Sequence, residues 1–86
     1  MKVKLITKEV IDNKEITELE FREPLGADLE EIIGEFSSGE KKATGKALTQ
    51  LASKLVTSHP LTPDDFRKFK AKNYMVVVNK MMAFLS

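Results

Sequence analysis

Between Ile16 and Leu29 the apolar residues change their spacing, and this change constrains the fold more than any other feature of the chain. In Ile16-Thr17-Glu18-Leu19-Glu20-Phe21-Arg22-Glu23-Pro24, Thr17, Leu19 and Phe21 share one face while Glu18, Glu20 and Arg22 share the other. That two-residue period predicts a strand in a sheet with one buried side. Pro24 ends the pairing, and Leu25-Gly26-Ala27-Asp28-Leu29 moves at once to a helical period. The segment therefore reads as strand, corner, helix.

Upstream, Val3, Leu5 and Thr7 alternate with Lys2, Lys4, Ile6 and Lys8, and Asp12-Asn13-Lys14 supplies turn residues before the second alternating run. The two runs predict an antiparallel β-hairpin, with lysines of the first strand facing glutamates of the second. No glycine follows Asn13, so the turn type and register stay open, although Asn tolerates positive φ. A lone hairpin is marginal in water, so helices must cover its apolar face.

Spacing predicts those helices. Leu29, Ile32, Ile33 and Phe36 form an i, i+3, i+4, i+7 stripe, with Asp28 and Glu31 suited to its start and Ser37-Ser38-Gly39 as its stop. Leu48, Leu51, Ala52 and Leu55 mark a second helix, whose start is obscured by Gly45 and whose end is set by Ser58-His59-Pro60. Thr62-Pro63-Asp64-Asp65 is a helix-start signal, with a cap residue, a proline at the first helical position and acids in the first turn. Everything after it reads as one helix. The expectation is an α+β fold: a single small domain over residues 1–86, with the β-hairpin in 1–24 packed against about three α-helices in 26–86.

A chain of 86 residues with 42% apolar content has room for one small core, and ordinary stability at this size is about 4–13 kcal/mol. Without cysteine, neither disulfides nor thiolate metal sites arise. The start Lys2-Val3-Lys4-Leu5 is unlike a signal peptide, and no apolar run is long enough to span a membrane, so a cytoplasmic protein is expected. Fourteen basic against thirteen acidic residues, formally +1, argue against a dominant phosphate-binding surface.

Chemistry-bearing patterns are few. His59, the only histidine, has no acid-base partner near it in sequence, and the serines sit in turns and helix ends. Glu30-Glu31 and Asp64-Asp65 are adjacent pairs that diverge on a helix, so helix-start electrostatics explains them better than metal coordination. Gly39-Glu40-Lys41-Lys42-Ala43-Thr44-Gly45-Lys46-Ala47 superficially resembles a phosphate loop, yet five residues separate its glycines and Ala47 replaces the hydroxyl. It reads as a flexible basic linker. Phe66-Arg67-Lys68-Phe69-Lys70-Ala71-Lys72-Asn73-Tyr74 interleaves aromatics and bases as some nucleic-acid binders do, but Phe66 and Phe69 stand one turn apart, as on an ordinary amphipathic helix. No catalytic, cofactor or metal site is expected, and an enzyme is the least supported reading.

The stretch from Tyr74 to Leu85 is apolar nearly all round, interrupted by Asn79 and Lys80. One helix in a small domain cannot bury every face, so part of this surface is expected to meet another chain. The candidate partner-binding residues are the outward members of Tyr74, Met75, Val78, Met81, Met82 and Leu85, with methionine suited to adaptable contacts.

The run Ile16-Thr17-Glu18-Leu19-Glu20-Phe21-Arg22-Glu23-Pro24, then Gly26 and Asp28-Leu29, resembles the hairpin-to-helix signature of phage tail assembly chaperones of Mu-like and P2-like contractile tails. Leu61-Thr62-Pro63-Asp64-Asp65-Phe66 is similar to their second signature, before the last helix, so the likeness spans most of the chain. Leu25 departs from it, standing where a small polar residue is expected, and the link from Leu55 to Leu61 is short. The resemblance implies a non-catalytic protein of the host cytoplasm. Such a protein binds the long helical tape measure protein, keeping it soluble while the tail tube assembles, and contacts other tail proteins through a segment added in a longer product. It also implies a longer frameshifted product, with which the codons of Phe84-Leu85 are compatible as a slippery run. Two alternatives are a small nucleic-acid-binding regulator using Lys68, Lys70 and Lys72, and a structural tail subunit forming homo-oligomers.

Overall fold

The computed structural model describes residues 1–32 and 41–85, with the side chains of 41–44 and 85 left aside. Strands β1 (Lys2–Ile11) and β2 (Lys14–Glu20) form a two-stranded antiparallel hairpin. Asp12 and Asn13 make its two-residue turn at φ 50° and 65°, the positive values of a type I′ turn, which suit the twist of the flanking strands. Lysines and glutamates do meet across the polar face. Lys8 Nζ lies 3.2 Å from Glu15 Oε1, and Lys2 Nζ lies 3.9 Å from Glu18 Oε1.

The register is not uniform. Glu9 pairs with Ile16 near the turn, but Lys4 pairs with Glu18 at the open end, so Leu5 to Lys8 stand opposite Thr17 alone. This large bulge in β1 explains a departure from simple alternation. Val3, Leu5, Leu19 and Phe21 are buried as their period predicts, whereas Thr7 and Thr17 are exposed and Ile16 is buried. A residue pointing inward on one side of a slip need not share parity with residues beyond it.

Beyond β2, and still before Pro24, the chain makes one further pairing. Phe21 bridges to Val56, with Arg22 N–H donating to Leu55 O at 2.9 Å and Thr57 N–H to Glu20 O at 2.8 Å. The end of the hairpin is thereby tied to the end of a helix some 35 residues on.

Four helices occur among the described residues: α1 (Gly26–Glu30), α2 (Lys41–Leu55), α3 (Pro63–Arg67) and α4 (Ala71–Leu85). Leu29 is half-buried and Ile32 buried, while Ile33, Phe36 and the expected Ser37-Ser38-Gly39 stop lie outside the described residues. α2 corrects the linker expectation: from Lys41 through Ala47 the backbone is helical, with Gly45 inside the helix. A single internal glycine costs about 1 kcal/mol, which alanine and lysine neighbours and the buried stripe of Leu48, Leu51, Ala52 and Leu55 offset.

α3 starts as its sequence predicts. Thr62 Oγ1 accepts from Asp65 N–H at 3.2 Å, and Asp65 Oδ2 accepts from Thr62 N–H at 3.0 Å, a reciprocal capping box. It does not run on into the last helix, so the expected third helix is two. Phe69 N–H bonds Phe66 O at 3.1 Å, and Lys70 N–H is taken by the Glu9 carboxylate at 2.8 Å instead of continuing the helical ladder. Phe66 and Phe69 both point inward and pack as tilted rings 5.4 Å apart. The core joins Val3, Leu19 and Phe21 of the hairpin to Leu51 and Leu55 of α2, Phe66 of α3, and Val77 and Met81 of α4.

Candidate functional site

α4 lies against β1 on one side and α2 on the other, and its faces sort the apolar residues of the chain's end. Asn73, Val77 and Met81 recur every four positions and are buried, 0%, 1% and 0% exposed. Met81 is one of the six candidate residues, but not one of their outward members. It is core, because it stands one turn beyond Val77 on the same inward row. Tyr74 and Val78 are half-buried, and Tyr74 Oη lies against Gly45 of α2. Met75 and Met82, two turns apart, point away from the core at 51% and 54% exposure. The Leu85 side chain lies outside the described residues.

The outward face thus carries Met75, Asn79 and Met82, flanked by half-buried Val76 and Val78. Beside it runs a shallow groove between α4 and β1, with Val76, Asn79, Lys80 and Ala83 on one wall and Lys2, Val3 and Lys4 on the other. Lys80 Nζ sits 5.7 Å from the centre of the Phe84 ring.

Two residues that sequence spacing did not single out position this helix. Asn73 Oδ1 accepts from Ile6 N–H at 2.9 Å and Thr7 N–H at 3.1 Å, while its Nδ2 donates to Thr7 O at 2.9 Å. The amide therefore satisfies the backbone that the β1 bulge leaves without strand partners. Glu9, 5% exposed, accepts from Asn73 Nδ2 at 2.6 Å and from Lys70 N–H at 2.8 Å, capping α4. One signal was present: Asn73 stands on the row of Val77 and Met81, and Glu9 alternates with Ile11, so both are polar at positions whose period is buried.

The corner is built by Arg22 and Asp28. Arg22 Nη1 and Nη2 donate to the two Asp28 oxygens at 2.8 and 2.9 Å, and Leu25 N–H donates to Asp28 Oδ2 at 2.8 Å. The Arg22 hydrogen bonds, then that of the Leu25 backbone, hold the Asp28 carboxyl well below the ordinary carboxylate range, and the Arg22 guanidinium is correspondingly raised. Asp28 serves as the third residue of α1 rather than as its cap, which is Leu25.

The remaining candidates serve the chain itself. His59 Nδ1 is 3.0 Å from Ser58 Oγ, which in turn accepts from Glu20 N–H at 3.0 Å, so this pair closes the loop beside the hairpin. Lys70 Nζ donates to Lys8 O at 2.9 Å, and Lys68 Nζ lies 4.0 Å from Asp65 Oδ1. Among the described residues no three His, Asp or Glu side chains converge as a metal site, and no helix is long and apolar enough to cross a membrane. Compared with family models, with curated proteins and with solved structures, the chain shows no match.

Proposed function

We propose that this protein is a phage or prophage tail assembly chaperone, acting in the host cytoplasm by binding the tape measure protein rather than by catalysis. The observation that carries the reading is the outward face of α4, where Met75 and Met82 stand more than half exposed on a helix whose other faces are packed. Exposed apolar side chains in such a row fit an amphipathic partner, and methionine adapts to an irregular one. The resemblance of Ile16 to Leu29 and of Leu61 to Phe66 to the chaperone signatures supplies the partner's identity. A longer frameshifted product, reaching other tail proteins, belongs to the same proposal.

An elongated helical protein shows apolar stripes until its tail is built around it. A small domain offering one adaptable apolar face covers such a stripe and leaves it when assembly proceeds. The nucleic-acid reading has less to stand on, because Lys70 Nζ is turned to the Lys8 carbonyl and the chain is nearly neutral.

Co-purification with the tape measure protein encoded nearby tests the proposal. The intact chain is expected to capture it, and M75K/M82K to lose capture while keeping the circular dichroism of the intact chain. Failure of the folded, intact chain to bind, together with its presence in finished particles, would instead favour the structural-subunit reading.

A further inference from the structure

Charge is distributed unevenly along this nearly neutral chain. From Glu15 to Glu31 seven acidic residues accompany Arg22 alone, whereas after Asp65 come Arg67, Lys68, Lys70, Lys72 and Lys80 with no acid. The fold sets this basic end beside the basic start, so that Lys2 and Lys4 of β1 face Lys80 of α4 across the groove that Val76, Asn79 and Ala83 also line. Among the described residues no carboxylate lines the groove. Glu18 approaches Lys2 to 3.9 Å, but both are exposed, and such a pair is weak and screened. Asn79 belongs both to the groove and to the outward row of Met75 and Met82, so the basic wall and the apolar face form one continuous surface.

We infer that this surface receives an acidic amphipathic helix, its apolar side chains on Val76, Met75 and Met82 and its carboxylates toward Lys2, Lys4 and Lys80. The inference rests on the chaperone reading and specifies which kind of partner segment is held. Complementary charge sets register and speeds encounter, while the apolar row supplies contact area. Nucleic acid fits less well: among the described residues no aromatic ring on which bases could stack lines the groove.

Three synthetic helical peptides with one common leucine face, and with Glu, Gln or Lys on the polar face, are titrated into the full-length protein and followed by amide NMR shifts. The Glu peptide is expected to move Lys2, Lys4, Val76, Asn79 and Lys80 and to bind at least about tenfold tighter than the Gln peptide. Added salt shrinks that advantage. K4E/K80E reverses the preference toward the Lys peptide, and K4Q/K80Q abolishes the preference if the reversed variant fails to fold. Equal affinity of the Glu and Gln peptides, shifts confined to other surfaces, or tighter occupation of the groove by a DNA duplex would overturn the inference. Capture of the tape measure protein that is indifferent to K4E/K80E leaves the chaperone reading and removes the acidic helix. Binding of the Glu peptide in the groove without capture by the intact chain does the opposite.

Discussion

The joint that fastens β1 to α4 and the corner that leads from β2 into α1 both set a polar side chain against backbone, yet they use different chemistry. At the first, Asn73 reaches across 66 and 67 residues of sequence to Thr7 and Ile6 and is fully buried. At the second, Arg22 and Asp28 are six residues apart and the guanidinium stays open to water. The bulge leaves both N–H and C=O groups to be satisfied, and an amide can accept from one and donate to the other, whereas the neighbouring Glu9 carboxylate takes only donors. A surface corner next to a helix start needs only acceptors for amides, and an ionised carboxylate held by arginine serves there. Glu9 and Asp28 are similarly buried, so the kind of backbone group to be satisfied, more than burial, decides which side chain each joint can use.

The comparison breaks most readily at Asn73. Asn73→Ala leaves the Ile6 and Thr7 amides and the Thr7 carbonyl, all part-buried, without their partner, and each lost hydrogen bond nets roughly 0.5–1.5 kcal/mol. A loss of about 3 kcal/mol is expected in denaturant unfolding, equivalent to roughly 15 °C in Tm for a domain of this size. A loss below about 1 kcal/mol would mean that water replaces the amide and that the joint tolerates hydration.

Glu9 ranks next. Glu9→Ala removes the acceptor of Lys70 N–H and of Asn73 Nδ2 and is expected to cost about 2 kcal/mol, whereas Glu9→Gln retains an acceptor oxygen and should cost clearly less. Similar losses from both variants would show that the charge at Glu9 matters more than its hydrogen bonds.

At the corner the expected effect is smaller and depends on pH. The folded-state value of Asp28 lies below the ordinary 3.8, so its contribution is complete above the unfolded value and fades as pH falls through the folded one. Asp28→Asn should therefore be less stable than the parent at pH 7, with the gap narrowing progressively below about pH 4. A gap that stayed constant from pH 7 to pH 2 would assign the corner to shape rather than charge. The smallest effect belongs to a residue in neither joint: Met82→Ala should change unfolding free energy by no more than about 0.5 kcal/mol while weakening partner capture. A large stability loss there would place Met82 with Met81 in the core.

The two joints also differ in how far they could be read. Asp28 was visible as a helix-start acid, because the bond it accepts from Leu25 N–H spans three residues. Thr62-Pro63-Asp64-Asp65 was visible for the same reason, and the stripe of Leu48, Leu51, Ala52 and Leu55 because helical period is a local property. Asn73 and Glu9 show in sequence only as polar residues at buried positions, since their roles exist only once the bulge and α4 meet. On the candidate face, an excess of apolar residues from Tyr74 to Leu85 was evident, but a helix apolar nearly all round has no polar side to orient it. Met81 and Met82 are chemically identical neighbours, and only packing against the hairpin and α2 separates core from surface.

By itself the sequence determined the place of the hairpin turn around Asp12 to Lys14, the strand-to-helix change around Pro24, the cap at Thr62 and the apolar surplus of the last helix. Each follows from backbone preferences, hydrogen bonds or periods closed within a few residues. Tertiary structure alone decided the slip between Lys4 and Glu9, the division of the final helical run at Lys70, and the assignment of Met81 inward and of Met75 and Met82 outward. Those outcomes depend on groups more than sixty residues apart competing for the same buried donors, acceptors and space, and local spacing carries no record of that competition.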